Sequence, residues 1–136
     1  MTQIEIIYEG DLSTRCIHSD NQTEIRTDAP KDNQGLGRTF SPTDLFAASL
    51  GSCMLTLMGI TARRLNIDIK GMRAKVTKEM AAAPTRRIGR LRVEFTCPHR
   101  PSDEAIAKLI QTAETCPVHK SLHPDIAVES TYSWGS

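Results

Sequence analysis

Aromatic side chains are scarce in this chain, and charge of one sign is barely in excess. Three Phe, two Tyr and one Trp make up 4% of 136 residues, too few for platforms that stack bases or sugars. Lys plus Arg is 17 and Asp plus Glu is 16, a net charge of +1. A dedicated nucleic-acid or anionic-membrane binder carries a basic surplus, so no nucleic-acid and no membrane partner is expected. No Walker loop, G-x-G-x-x-G or H-E-x-x-H occurs, and Gly35-Leu36-Gly37 is too short for a phosphate cradle. The start, Met1-Thr2-Gln3-Ile4-Glu5, has neither the basic nor the apolar region of a secretory signal. The longest charge-free apolar stretch, Leu45 to Ile60, falls short of the ~20 residues of a membrane span. These shortages predict a cytoplasmic protein.

What is present is a soluble composition, 39% apolar and 24% charged, in a chain sized for a single domain, 1–136. The one chemical hint is four cysteines: Cys16, Cys53, Cys97 and Cys116. In a reducing compartment such thiols are more often buried, metal-bound or redox-active than stapled.

Periodicity predicts the elements. Ile4, Ile6 and Tyr8 alternate over residues 3–8 as one face of a strand, and 12–18 and 22–27 are weaker strands around the turn Ser19-Asp20-Asn21. Residues 29–39, with Pro30, Asn33, Gly35 and Gly37, read as a loop. Ser41 then caps a helix, Pro42 suits its first position, and Asp44 completes a Ser-x-x-Asp box. This helix runs to about Leu65 and is apolar or small almost all round from Leu45 to Met58. One small chain can hardly cover it, so a second subunit is inferred.

Met72, Ala74 and Val76 alternate, as do Leu91, Val93, Phe95 and Cys97, which predicts a hairpin joined through 81–87. A second helix starts at Ser102, turns Ile106, Leu109, Ile110 and Ala113 inward, and ends or kinks at Pro117. The last strand carries Ile126, Val128, Ser130, Tyr132 and Trp134 on one side. The order β-β-β-α-β-β-α-β implies α+β, not a doubly wound parallel sheet.

Cys53 lies about three turns into the first helix, beyond the reach of the N-terminal dipole, so activating it needs a cation from elsewhere. The plain alternative is a small core residue. Cys116 continues the inner face of the second helix at its end, at an accessible edge of the core. Both cysteines point to the interior, so a disulfide is feasible if the fold brings them close. Cys97 reads as core and Cys16 as structural or incidental. Cys97, His99, Cys116 and His119 formally offer zinc two Cys and two His, but C-x-H is a tight spacing, so no metal is expected. His18 and His123 read as surface or polar-network residues. Arg90 and Arg92 read as a solvated strand face.

The run from Phe40 to Cys53, Phe-Ser-Pro-Thr-Asp-Leu-Phe-Ala-Ala-Ser-Leu-Gly-Ser-Cys, resembles the signature of the OsmC/Ohr family. Ala113-Glu114-Thr115-Cys116-Pro117-Val118 resembles its second cysteine motif, and the spacing and element order also fit. The resemblance implies an OsmC-like fold, an intertwined homodimer with central buried cysteine helices. It implies a thiol-dependent peroxidase for small organic hydroperoxides, and less so hydrogen peroxide, without cofactor. Cys53 would be the nucleophile and Cys116 the resolving thiol, with a dithiol of lipoyl or thioredoxin type as reductant. The family places an Arg near the nucleophile, held by the Glu of Asn-Pro-Glu. Here that triplet reads Ser41-Pro42-Thr43, and Asp44 is the nearest carboxylate. Arg15 is the first candidate for the cation, with Arg26 and Arg38 as alternatives. The missing Glu marks a divergent OsmC-like branch. It also leaves open a non-catalytic dimer that binds a small apolar or acidic ligand at the subunit interface.

Overall fold

The computed structural model describes residues 1–136. The chain divides into two compact units, Met1–Phe46 and Ala47–Ser136.

The first unit is a three-stranded antiparallel sheet, β1 (Ile4–Gly10), β2 (Ser13–His18) and β3 (Glu24–Asp28), in the order β1-β2-β3. Register sets its two faces. Ile6 pairs with Cys16, and Cys16 pairs with Ile25, so these share a face with Ile4 and Tyr8. That face is apolar yet open: Ile4, Ile6, Tyr8 and Ile25 are each more than half exposed. The opposite face is charged. Arg15 contacts Glu9 at 3.2 Å and Glu24 at 2.7 Å, and Arg26 contacts Glu9 at 2.9 Å.

The predicted loop holds one short 3-10 turn, Lys31–Asn33, and is pinned by Asp28. The buried Asp28 carboxylate accepts Arg38 Nε at 2.8 Å, Arg38 Nη2 at 3.0 Å and the Arg38 backbone N–H at 2.8 Å. These donors, the side-chain pair first, hold the Asp28 carboxyl at about 2. Gly35 is obligatory here, because a Cβ would sit 1.7 Å from the Ala29 carbonyl oxygen.

Helix α1 (Pro42–Arg64) starts in the first unit and continues into the second. The expected capping box forms. The Asp44 backbone N–H donates to Ser41 Oγ at 3.0 Å, and the Ser41 N–H donates to Asp44 Oδ2 at 2.9 Å. At 23 residues and a mean hydropathy of 1.7, α1 is long and apolar enough to cross a membrane, which the shorter apolar run did not suggest. Leu50, Met54 and Met58, spaced by four, are fully buried, which is the pattern of a core helix.

The second unit is a mixed sheet, β4 (Arg73–Ala81), β5 (Arg87–Cys97) and β6 (Ala127–Trp134), in the order β4-β5-β6. The β4-β5 hairpin is antiparallel, as predicted, and β6 runs parallel to β5. That parallel pair needs a crossover, supplied by α2 (Asp103–Ala113) and α3 (Pro117–Lys120). Ser102 caps α2, its Oγ accepting from the Ala105 N–H at 3.2 Å. The core joins Leu50, Met54 and Met58 of α1 to Leu91, Val93 and Phe95 of β5, and to Leu109, Ala113 and Cys116. Gly51 is fully buried, and a Cβ there would lie 2.8 Å from Val76 Cγ2, so only glycine lets helix and strand close to this distance. Ile106 and Ile110, expected inside with Leu109, are half-buried, and Ala105 is buried instead. The inner stripe of α2 is therefore narrow, Ala105-Leu109-Ala113, one residue per turn.

Candidate functional site

The second unit brings Cys53 and Cys116 together. Cys53 sits half-buried on α1 beside the core cluster, and Cys116 is 0% exposed. Both are free thiols, and their side chains are neighbours. Burial raises the Cys116 pKa first, and the neighbouring Cys53 raises it further. The backbone N–H groups of His119 and Val118 act in the other direction, His119 donating to Cys116 Sγ at 3.2 Å.

Local sequence explains this placement. Helix α2 ends at Ala113, and Pro117 opens a separate short helix with Cys116 as its cap. The expectation that Cys116 continues α2 is therefore corrected. Two residues intervene after the last helical position, and Cys116 N–H donates back to the Ala113 carbonyl at 3.3 Å. The turn tucks the thiol inward, so Cys116 lies within the core and not at an accessible edge. Pro117 fits the first position of α3 because its missing N–H has no intrahelical partner to lose.

The polar candidates are held by other partners. Arg15 projects from the charged face of its sheet into a clamp of Glu24 and Glu9, which raises its pKa. Arg26 shares Glu9, and Arg38 grips Asp28 bidentately. Asp44 reciprocates the Ser41 cap. Arg90 reaches Glu79 and Glu129, and Arg92 reaches Glu79, so that strand face is solvated and ion-paired. Cys97 is buried at the end of β5, and Cys16 is half-buried on the apolar face of its sheet. His18 is half-buried and His123 exposed, each Nδ1 accepting a backbone N–H two residues on. Cys97, His99, Cys116 and His119 do not gather: no three His, Cys, Asp or Glu side chains form a metal-binding group.

Sequence reasoning missed Glu114 and Tyr132. The Tyr132 hydroxyl donates to Glu114 Oε1 at 2.9 Å, two residues before Cys116. Burial and then this carboxylate push the Tyr132 pKa well up, so it stays a phenol. Tyr132 reaches Glu114 from the side of β6 that alternation groups with Val128 and Trp134. That placement was the available signal, since a buried Tyr hydroxyl needs a partner.

Comparison with known proteins gives one family and one fold. The family model for OsmC-like proteins matches residues 34–131. A proposed osmotic stress induced and detoxification response protein from Psychrobacter arcticus 273-4 is 50% identical, with a TM-score of 0.92, over 97% of this chain and 96% of that one. An OsmC-like protein from Mycoplasma pneumoniae shares the fold at 20% identity and a TM-score of 0.84, over 100% of this chain and 98% of its own. An organic hydroperoxide resistance protein OsmC from Legionella pneumophila does so at 18% and 0.74, over 98% and 96%. Comparison with curated proteins gives no match. The matched stretch takes in both cysteine motifs, and with a half-identical relative aligned almost end to end, this chain belongs to the OsmC/Ohr family of α+β proteins.

Proposed function

We propose that this protein is a thiol-dependent peroxidase that reduces small organic hydroperoxides, and hydrogen peroxide less well. The observation that carries this reading is the Cys53–Cys116 thiol pair, two free thiols brought together at the core. The Cys53 thiolate attacks the peroxide oxygen and the O–O bond breaks. The hydroxyl stays on the Cys53 sulfur as a sulfenic acid, and the alkoxide takes a proton from solvent and leaves as the alcohol. Cys116 attacks that sulfur and the S–O bond breaks. Its own proton leaves with the hydroxide as water, and a disulfide remains. A dithiol of lipoyl or thioredoxin type restores both thiols by exchange in the reducing cytoplasm. Peroxide is reduced by two electrons and the cysteine pair is oxidised by two. In this reading Arg15 is the cation that favours the Cys53 thiolate, with Arg26 and Arg38 as alternatives, and Asp44 stands nearest the family's Glu position.

The working unit in this proposal is a homodimer. Ile4, Ile6, Tyr8 and Ile25 leave one sheet face apolar and open, and Phe46 and Ile60 are exposed on α1. Open apolar surface of this kind marks an interface. Light scattering at micromolar concentration should give twice the 15.0 kDa chain mass.

Consumption of cumene hydroperoxide in dithiothreitol tests the chemistry. Wild type should consume it in stoichiometric proportion and Cys53→Ser should not. Equal, slow consumption by both removes the enzymatic reading. Thr43 in place of the family's Glu favours a second reading, a non-catalytic dimer that binds a small apolar or acidic ligand. A Cys53–Cys116 disulfide formed under mild peroxide would count against it.

A further inference from the structure

Glu114 stands between two groups on different elements. Its Oε1 accepts from the Tyr132 hydroxyl at 2.9 Å, and its Oε2 lies 3.9 Å from His119 Nε2. Tyr132 is a fixed post. Its ring stacks on buried Phe95 at 4.8 Å, nearly parallel, and Trp134 flanks it at 6.5 Å. His119 is tied in turn to the cysteine, since its backbone N–H donates to Cys116 Sγ. The segment from Glu114 to His119 is therefore a loop whose two ends meet at one carboxylate. Cys116 is in its middle.

This matters because a disulfide is demanding. Its S–S length is ~2.05 Å, with a torsion near ±90°. Cys116 must close to covalent distance from Cys53 without swinging off line. A misplacement of about 1 Å can cost 100-fold in rate. We infer that Glu114 is a positioning residue for Cys116: by accepting the Tyr132 hydroxyl of β6 beside His119 of α3, it aims the resolving thiol at Cys53 and sets the rate of disulfide closure. Glu114 touches neither sulfur in this role and acts through the turn it anchors.

The inference rests on Cys53 and Cys116 forming a redox pair, so its test uses no peroxide. The aromatic disulfide 5,5′-dithiobis(2-nitrobenzoate) reacts with Cys53. One aryl thiolate leaves and a mixed disulfide remains. Cys116 then attacks the Cys53 sulfur, its proton goes to solvent, and a second aryl thiolate leaves. The first release depends on reagent concentration and the second does not, and peptide mass assigns the new bond to Cys53 and Cys116.

In Glu114→Ala the ratio of second to first release should fall about tenfold or more. Tyr132→Phe keeps the stacked ring, removes only the donor, and should move the ratio the same way. Glu114→Gln retains an acceptor for Tyr132 and should restore most of the rate. A wild-type ratio in both Glu114→Ala and Tyr132→Phe overturns the inference, as does wild-type protein that never releases a second thiolate. Normal closure with this reagent, but no hydroperoxide consumption, would remove the peroxidase reading and leave the positioning role standing.

Discussion

Replacing Gly51 by alanine sets two effects of known size against each other. Alanine in a helix interior is favoured over glycine by about 1 kcal/mol. The new Cβ, however, would lie 2.8 Å from Val76 Cγ2, with Ala74 Cβ at an ordinary 3.5 Å. Carbon atoms rest comfortably at ~3.5–4.0 Å, so the first contact is roughly 0.7 Å or more too short. Val76 is β-branched and has little rotamer freedom with which to retreat. Overpacking of this kind costs about 1–3 kcal/mol, so the net change should be a loss of about 0–2 kcal/mol. Val76→Ala removes the clashing methyl. In that background Gly51→Ala should become stabilising by about 1 kcal/mol, its ordinary helix value. The two sites should therefore couple by about 1–3 kcal/mol, measured as a double-mutant cycle of urea unfolding under reducing conditions. If Gly51→Ala stabilises by about 1 kcal/mol in both backgrounds, the close approach of α1 to β4 is wrong. Cys53 is two residues further along the helix, ~3 Å of rise, so the displaced helix should also slow closure with Cys116.

Asp28 supplies a pH test. Its carboxyl falls from 3.8 to about 2 beside Arg38, so its contribution is fully present above pH 3.8 and is lost as pH falls through about 2. Asp28→Asn should flatten the acid-side fall in stability across that window in an unfolding series, and an unchanged profile would exclude the pairing. Ser41→Ala removes the cap acceptor of α1 and should cost about 1 kcal/mol in urea unfolding, with the loss confined to folding if Cys53 labels at its normal rate. Closing Cys53 to Cys116 links residues about 60 apart, so the oxidised form should resist unfolding by ~4 kcal/mol more than the reduced form on the chain-entropy view. No difference in unfolding midpoint would mean that the bond strains the fold.

Much of the architecture was legible because it rests on local rules. The capping box at Ser41, the proline start and the apolar run fixed α1 to within a residue of its observed end. Alternation gave the β4-β5 hairpin and the face of β6 that carries Val128, Ser130, Tyr132 and Trp134. Alternation reports a side, not a neighbour, so the parallel partnership of β6 with β5 had no local signal. The Cys116 turn failed for a related reason. Helical spacing from Leu109 through Ala113 extrapolates smoothly to position 116, whereas the chain leaves the helix three residues earlier and re-enters one at Pro117. The Tyr132–Glu114 bond depends on both of those long-range facts and so lay beyond the reach of pattern.

Burial alone does not separate the proposed redox pair from the other thiols, because Cys97 is almost as deeply buried as Cys116. Polar company does. Cys97 is engaged through its backbone, whose carbonyl accepts the Gly135 N–H at 3.0 Å while its side chain fills core space. At Cys116 the sulfur itself is engaged, accepting the His119 N–H at 3.2 Å with Cys53 beside it. In the peroxidase proposed above, the oxidant would reach the half-buried Cys53 before the buried Cys116, and the order of the two chemical steps would follow from that difference in access.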